Sequence, residues 1–567
     1  MNQPTPAIVP QSAVRPLSRW ALLLLCLAYV VSGFVGRTPW KSADVAAFGY
    51  MHSLAQGQTS WLAPLLGGMP PETDGLLPYW LGALAIQGIP ALSPDVAARI
   101  PFTLLLAITL AATWYGVYYL ARSPGAQPVA FAFGGEAQPL DYARTMGDAA
   151  LLALIACLGL AQLSHETTSY LVQLCATALT FFGLAALPYR TVAPAMALAA
   201  GLFGLTLAGA PALAAIMGLG GMLLVWCAPA SETDQRRPWL AALALMTLGL
   251  AALAWQLDLW RWRIATLEAS GKDWGSFLRL LVWFGWPAWP LALWTLWRWR
   301  RQILSPRGHR HLWLPLGITA LSVGATALTQ PADRALLLGL PAMAALAAFA
   351  LPTLRRSVSA LIDWFTLIFF SVSSLAVWII WLAMQTGVPA KPAANVAKLA
   401  PGFTPSFSLA ALLAALMATA AWCGLVWWRA ARNRAPLWKS LVLPAGGATL
   451  VWLLLMTLWL PLLDFARSYE PQMQNIRRAM GPEARCVQTY ALSRAQIAAL
   501  QYHAGLTVEP HASATCPWML ADHASWQAQT TARQTLPAGI WESIAIIPRP
   551  TDKNDHIIIL RRAGTTH

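Results

Sequence analysis

Charge is what this chain has least of. Only 11% of its 567 residues are Asp, Glu, Lys or Arg, whereas soluble domains carry about 25%. So few charges cannot cover the several water-soluble globules that such a length would otherwise suggest. With 57% hydrophobic residues and a mean hydropathy of +0.53, the chain reads as a polytopic membrane protein. Its 30 Trp and 41 Pro exclude a low-complexity or fibrous protein. No internal repeat is visible, and no His/Cys spacing demands a metal. The first apolar run, Trp20 to Gly36, follows Arg15 and Arg19 but is not followed by a small-residue cleavage site. It therefore reads as a signal anchor with a cytoplasmic N-terminus. Cysteine is sparse too. Cys26, Cys157, Cys175, Cys227 and Cys423 lie in apolar segments and read as small hydrophobes. Cys486 and Cys516 lie in a polar C-terminal region and are candidates for one disulfide, if that region faces an oxidising compartment.

The net charge of +15 does not point to nucleic acid, because Lys and Arg fall in short clusters between apolar runs. These clusters are Arg236-Arg237, Arg298 to Arg310, Arg355-Arg356 and Arg429 to Lys439. The positive-inside rule makes all four cytoplasmic. Fourteen apolar segments between 20–36 and 439–463 reach spanning length, among them 76–92, 99–120, 147–163, 191–209 and 211–227. A cytoplasmic N-terminus and an external C-terminus require an odd number, so thirteen is expected, with 191–227 suspected of being one helix broken at Gly209-Ala-Pro211. The outward loops are then 37–75, 121–146, 257–276 and 386–407. The organisation is a tail (1–19), a transmembrane unit (20–463) and a soluble region (464–567). In the last, strands are expected near 486–492, 505–510, 541–548 and 555–562. A helix over 493–504, capped by Ser493, completes a small α/β domain.

The first outward loop carries the strongest pattern. Val45, Phe48, Met51 and Leu54 recur at helical spacing, predicting an amphipathic helix on the membrane surface. Asp44 opens it, and spacing alone favours reading it as an N-cap carboxylate stabilised by the helix dipole. Then come Gly57-Gln-Thr-Ser-Trp61-Leu-Ala-Pro64 and Leu76-Leu-Pro-Tyr79-Trp-Leu-Gly82. This order resembles the GT-C glycosyltransferases, specifically the bacterial branch of lipid A aminoarabinose transferases and related protein mannosyltransferases. There an Asp-Glu pair opens a juxtamembrane helix, a Gly-x-Trp-x-x-Pro element follows, and Pro-Pro-Leu-x-Tyr-Trp-Leu leads into the second span. Asp44, Gly57 to Pro64 (with one extra residue) and Leu77 to Leu81 match in order. Two positions depart. Val45 stands where the family has Glu, and Glu72-Thr73-Asp74 stands in place of a Glu-Lys pair that helps hold the donor, which counts against aminoarabinose as the sugar.

The resemblance implies an all-α GT-C-like membrane fold of about thirteen transmembrane helices, with amphipathic juxtamembrane helices in loop 37–75 and the α/β domain on the periplasmic side. It implies a bacterial inner-membrane glycosyltransferase that takes a sugar from a polyprenyl (undecaprenyl) phosphate to a lipid, glycan or protein acceptor, with inversion. Asp44 would be the catalytic base or an acceptor-orienting carboxylate. Lys41, Trp61, Tyr79, Arg144, Asp148 and Arg334 would bind substrate. Lys391 and Lys398, apart from the resemblance, lie in an outward loop against the positive-inside bias and are candidates for binding anionic headgroups. No cofactor is required, although clustered carboxylates leave room for a divalent cation. Each position has a plainer reading. Arg144 and Asp148, four apart, can simply pair. Arg334 can pair with Asp333, and His165-Glu-Thr-Thr168 can be a satisfied interhelix turn. The competing functions are a lipid-linked sugar transporter, disfavoured by the absence of repeats and midplane charges, and a non-catalytic envelope assembly protein.

Overall fold

The computed structural model describes residues 5–72, 75–228, 235–260, 271–305, 309–329, 332–430, 436–509, 516–531 and 541–563. The expected features at 73–74 and within 261–270, including Arg261 to Arg263, lie outside them. Six helices are by themselves long and apolar enough to cross a membrane. A seventh qualifies if Lys439–Leu455 and Leu460–Arg467, bent by 70°, count as one span. Shorter apolar helices pack among them, and a five-stranded sheet follows at the C-terminal end.

The first five long elements fix the two ends of the bundle. Helix α1 (Arg19–Ser32) is followed by α2 (Ala43–Ala55), α3 (Leu77–Gly88), α4 (Pro94–Ala121) and α5 (Pro139–Ala156). At 12 residues, α3 reaches only about 18 Å, against a hydrocarbon core of about 30 Å. It packs mainly on α2, and the chain turns back before α4 begins. Asp95, at the start of α4, accepts a 3.0 Å hydrogen bond from the Tyr502 hydroxyl of the C-terminal region. The start of α4 and the α2 region therefore lie at one end of the bundle, called here the Asp44 end. The segment that stops short is thus 76–92, and 191–227 is not one broken helix. Val192–Leu207 and Pro211–Cys227 pack on each other, joined by a turn in which Gly209 adopts φ +84°. That turn is pinned at the Asp44 end, where Leu76 N–H donates to the Leu207 carbonyl at 2.7 Å.

At the opposite end the N-terminal segment is woven into the bundle. Val129 N–H donates to the Ala7 carbonyl, Ala137 N–H to that of Val9 and Leu437 N–H to that of Ala13. Trp438 Nε1 donates to the Arg15 carbonyl at 2.8 Å. Gln302 reaches the Gly125 carbonyl, so basic clusters and the 121–138 loop share this end.

The C-terminal sheet has the order β2-β1-β3-β5-β4, with β1 Cys486–Tyr490, β2 Thr507–Glu509, β3 Trp518–Asp522, β4 Trp541–Arg549 and β5 Asp552–Arg562. Strand β1 runs parallel to β2 and β3, whereas β5 is antiparallel to β3 and β4. Helix Arg494–His503 starts at Ser493, whose hydroxyl accepts from Gln496 N–H while the Gln496 side chain returns to the Ser493 N–H, a complete capping box. Strand β3 was not expected. It is a five-residue central strand with its middle three residues buried, so it shows no alternation to read. Cys486 and Cys516 are disulfide-bonded, joining β1 to the residues just before β3.

Candidate functional site

The site grows from Arg37, just past α1. Gly33 lets the two approach: a Cβ there would fall 2.2 Å from the His165 ring. Arg37 Nε donates to the Gly33 carbonyl at 2.9 Å, Nη2 to the His165 carbonyl at 2.5 Å, and Nη1 to Asp44 Oδ2 at 2.7 Å. Both side chains of this ion pair are 2% exposed, so the pair is held in a medium where losing either partner is costly. Asp44 does not cap its own helix. Its Oδ2 also accepts from Trp40 N–H at 3.1 Å, and its Oδ1 accepts from Thr167 N–H at 2.7 Å and the Thr167 hydroxyl at 2.6 Å. Four donors fill the four lone-pair positions of one carboxylate. Burial works to raise its pKa, but Arg37, Arg99 and the two Thr167 hydrogen bonds outweigh it and hold the carboxyl below the usual range.

Around this centre the charges interlock. Arg334 Nη1 pairs with Glu166 Oε2 at 3.0 Å, with exposures of 13% and 7%, and its guanidinium lies 4.8 Å from the Tyr170 ring. Its partner is therefore Glu166 and not the adjacent Asp333. Burial pushes Glu166 up, Arg334 opposes that, and Asp44 adds to it. Burial pushes the His165 imidazole down to about 4, so it is neutral; its Nε2 meets the Tyr29 carbonyl at 3.0 Å. Asp464 Oδ1 accepts from Thr38 N–H, the Thr38 hydroxyl and Trp40 Nε1 at 2.8–2.9 Å. Arg99 is buried, with Asp95 3.5 Å away.

Two cavities open at this end. A narrow cleft of about 30 Å³ lies beside α2, lined by Ala43, Ala46, Ala47, Tyr50, Glu72, Tyr79, Thr168, Ser169, Tyr170 and Arg494. A larger one, about 250 Å³, lies between residues 402–404 and 461–471, with Asp464, Glu470, Phe403 and Phe465 in its wall. The C-terminal domain closes over both sides of α2. Lys41 Nζ pairs with Asp552 at 2.6 Å and Asp555 at 3.4 Å, and the Phe48 and Tyr502 rings meet edge-on at 4.7 Å.

The expected residues therefore divide. Asp44, Tyr79 and Arg334 come together. Trp61 lies beside α3, accepting on its carbonyl a 2.7 Å bond from Trp80 Nε1. Lys41 is engaged by the C-terminal domain. Lys391 and Lys398 are exposed on a short helix, Ala390–Leu399, that leads toward the larger cavity. Arg144 and Asp148 do not belong to the site. They lie at the opposite end, where Asp148 accepts from Trp114 Nε1 at 2.8 Å and Leu17 N–H at 3.2 Å, and exposed Arg144 faces Asp141, not Asp148, at 3.9 Å. Counting 76–92 as a crossing reversed the sides of everything from there to residue 191. That reversal put the 165–168 turn, whose polar run is plain in the sequence, on the far side. Arg37 precedes 76–92 and lies in the loop already placed outward, so no reversal touches it; a cation on the outward flank of the first apolar run was the signal for it. Neither buried carboxylate offers a free set of metal ligands, since Asp44 and Glu166 are each matched by an arginine. The one grouping of three ligand-type side chains among the described residues, Cys486, Glu509 and Cys516, has both sulfurs in the disulfide.

No family model matches the sequence, and no curated protein matches it. Solved structures do. ArnT from Cupriavidus metallidurans in the apo state superposes with a TM-score of 0.59 at 13% identity, covering 95% of this chain and 97% of that one. The same protein bound to undecaprenyl phosphate gives 0.59 at 14% identity, covering 96% and 98%. The chain thus has the GT-C fold of that aminoarabinose transferase over nearly its whole length.

Proposed function

We propose that the chain is an integral membrane glycosyltransferase that transfers a sugar from a polyprenyl phosphate to an acceptor at the Asp44 end. The observation that carries this reading is whole-chain likeness to a fold solved with undecaprenyl phosphate. At 13–14% identity the likeness speaks for fold, so the chemistry rests on the site. In the orientation that the basic clusters favour, the Asp44 end is periplasmic and thirteen segments cross, with α3 lying short of the far side.

The reaction is written as one inverting displacement. The bond between the anomeric carbon and the phosphate oxygen breaks, its electron pair staying on that oxygen, and an acceptor oxygen bonds to the carbon from the opposite face. A phosphodiester monoanion becomes a phosphomonoester, so negative charge grows on the leaving group. Cations placed there lower the barrier. Arg334, at the edge of the cleft, suits that task. A carboxylate with four hydrogen bonds and a lowered pKa is a weak base. Asp44 is therefore assigned the acceptor-orienting role, holding Arg37, Trp40 and the 165–168 turn in register. The acceptor that best fits is one already ionised, such as a lipid-borne phosphate, for which no proton need be removed.

Incubating the purified protein with a panel of polyprenyl-phosphate sugars and lipid acceptors is expected to release free polyprenyl phosphate. Asp44→Asn is expected to abolish release, with folding checked by thermal melting. Full activity in that variant would remove Asp44 from the mechanism. No release by the unaltered protein from any donor would overturn the transferase reading in favour of a non-catalytic envelope protein, which the saturation of Asp44 also suits.

A further inference from the structure

Arg494 is the only cation among the ten residues that line the cleft beside α2, and it belongs to the C-terminal domain. Its Nε donates to the Pro70 carbonyl at 2.7 Å, and its Nη1 lies 3.6 Å from Glu72, a side chain that is 71% exposed. Glu72 and Pro70 sit on the first loop, so Arg494 bridges two parts of the chain more than 400 residues apart in sequence. The wall facing it is rich in hydroxyls: Tyr50, Tyr79, Tyr170, Thr168 and Ser169. Thr168 is 2% exposed, and its Oγ1 has no hydrogen-bond partner. A buried hydroxyl without a partner beside a cleft is costly unless something enters to satisfy it. Beyond Tyr170, which also lines the cleft, stands Arg334. The cleft is thus hydroxyl-lined, with the Arg494 guanidinium in its wall and Arg334 behind one of the wall residues, Tyr170.

We propose that Arg494 is a substrate-binding residue, and that the C-terminal domain thereby completes the site by contacting the phosphate of the polyprenyl phosphate. The placement is rigid. Helix Arg494–His503 packs on α2 so closely that a Cβ on Gly49 would fall 2.5 Å from the Ala498 Cβ. Arg494 therefore moves with the helix that carries Asp44. The weakly held Glu72 lies against Nη1, and an incoming phosphate displaces it, its two free oxygens taking the guanidinium fork more strongly than a solvated carboxylate does. Thr168 donates to a phosphate or sugar oxygen. This inference rests on the transferase reading given above.

The test uses the full-length protein in nanodiscs and measures binding of undecaprenyl phosphate, with undecaprenol as the uncharged control. Arg494→Ala is expected to weaken undecaprenyl phosphate binding about tenfold or more, leaving undecaprenol binding unchanged, and Arg494→Lys to recover part of the loss. Glu72→Gln, a change at an exposed side chain that leaves the fold intact, is expected to tighten phosphate binding two- to threefold by removing the competitor. Binding of undecaprenyl phosphate by Arg494→Ala equal to that of the unaltered protein, or no response to Glu72→Gln, overturns the role of Arg494 alone. Failure of the unaltered protein to prefer undecaprenyl phosphate over undecaprenol overturns the transferase reading and this inference together.

Discussion

The two ends of the helical bundle use the same residue types to opposite effect. At one end Arg37 and Asp44, within the first loop, and Arg334 and Glu166, 168 residues apart, are buried pairs. At the other, Arg144 and Asp141 form a loose pair on a single helix turn, with the arginine half exposed. Asp148 there is satisfied by an indole and a backbone amide, without a cation. Net attraction between charges rises as water is excluded, and so does the penalty for leaving one unmatched. The first arrangement is expensive to build and brittle to alteration, which is what a preorganised site requires. The second is ordinary helix-end polarity.

That contrast can be tested in four steps, beginning with the largest effect. Arg37→Met strands the Asp44 carboxylate and should cost about 3–5 kcal/mol of stability, read as a lower melting temperature in detergent. The double variant Arg37→Met/Asp44→Asn should recover part of it, and additive losses would show that the pair is not coupled. Gly49→Val places a branched side chain against Ala498 and should cost about 1–3 kcal/mol. It should also loosen the C-terminal domain, with faster proteolysis between residues 467 and 486 as the readout. The third step is pH. Because the folded pKa of Asp44 is lowered, the folded state binds fewer protons than the unfolded chain. The stabilisation is therefore in full force above the unfolded value of about 3.9 and is lost as pH falls through the folded one. Melting curves between pH 7 and 3 should show that loss only below about pH 4 in the native protein. In Arg37→Met, by contrast, burial without the arginine raises the Asp44 pKa, so stability should rise as pH falls and the stranded carboxylate takes up a proton. Last, Arg144→Ala should shift stability by less than about 0.5 kcal/mol and leave transfer within about twofold. A large loss of transfer would restore Arg144 to the site.

Much was readable without coordinates, for local reasons. Ser493 predicts a helix start because an N-cap is a local device, and the structure adds the reciprocal bond from Gln496 that completes a capping box. The register Val45, Phe48, Met51 and Leu54 predicts the helix α2, and all four are buried in it. Asp44, Ala47, Gly49, Tyr50 and Ser53 are buried too, so α2 is enclosed between α3 and the C-terminal helix Arg494–His503 and is not the amphipathic surface helix that the register suggests. What misled was α3. Its apolar composition matches a span, but hydropathy measures how apolar a segment is, not where the chain turns, and Asp95 is tied to Tyr502 only through the fold. Sidedness is a parity count, so one short helix moved Arg144 and Asp148 to the wrong end until the 191–227 pair corrected the count.

The sequence by itself determined the class of the molecule. Scarce charge makes the chain a set of apolar helices, and a polar C-terminal region with two cysteines makes a separate α/β unit. Only the tertiary structure decided which charges meet. Arg37, Asp44 and Thr167 are separated by 7 and 123 residues, and Arg494 reaches a loop 424 residues away. Contacts of that range depend on how whole helices pack, and no local pattern of residues encodes them.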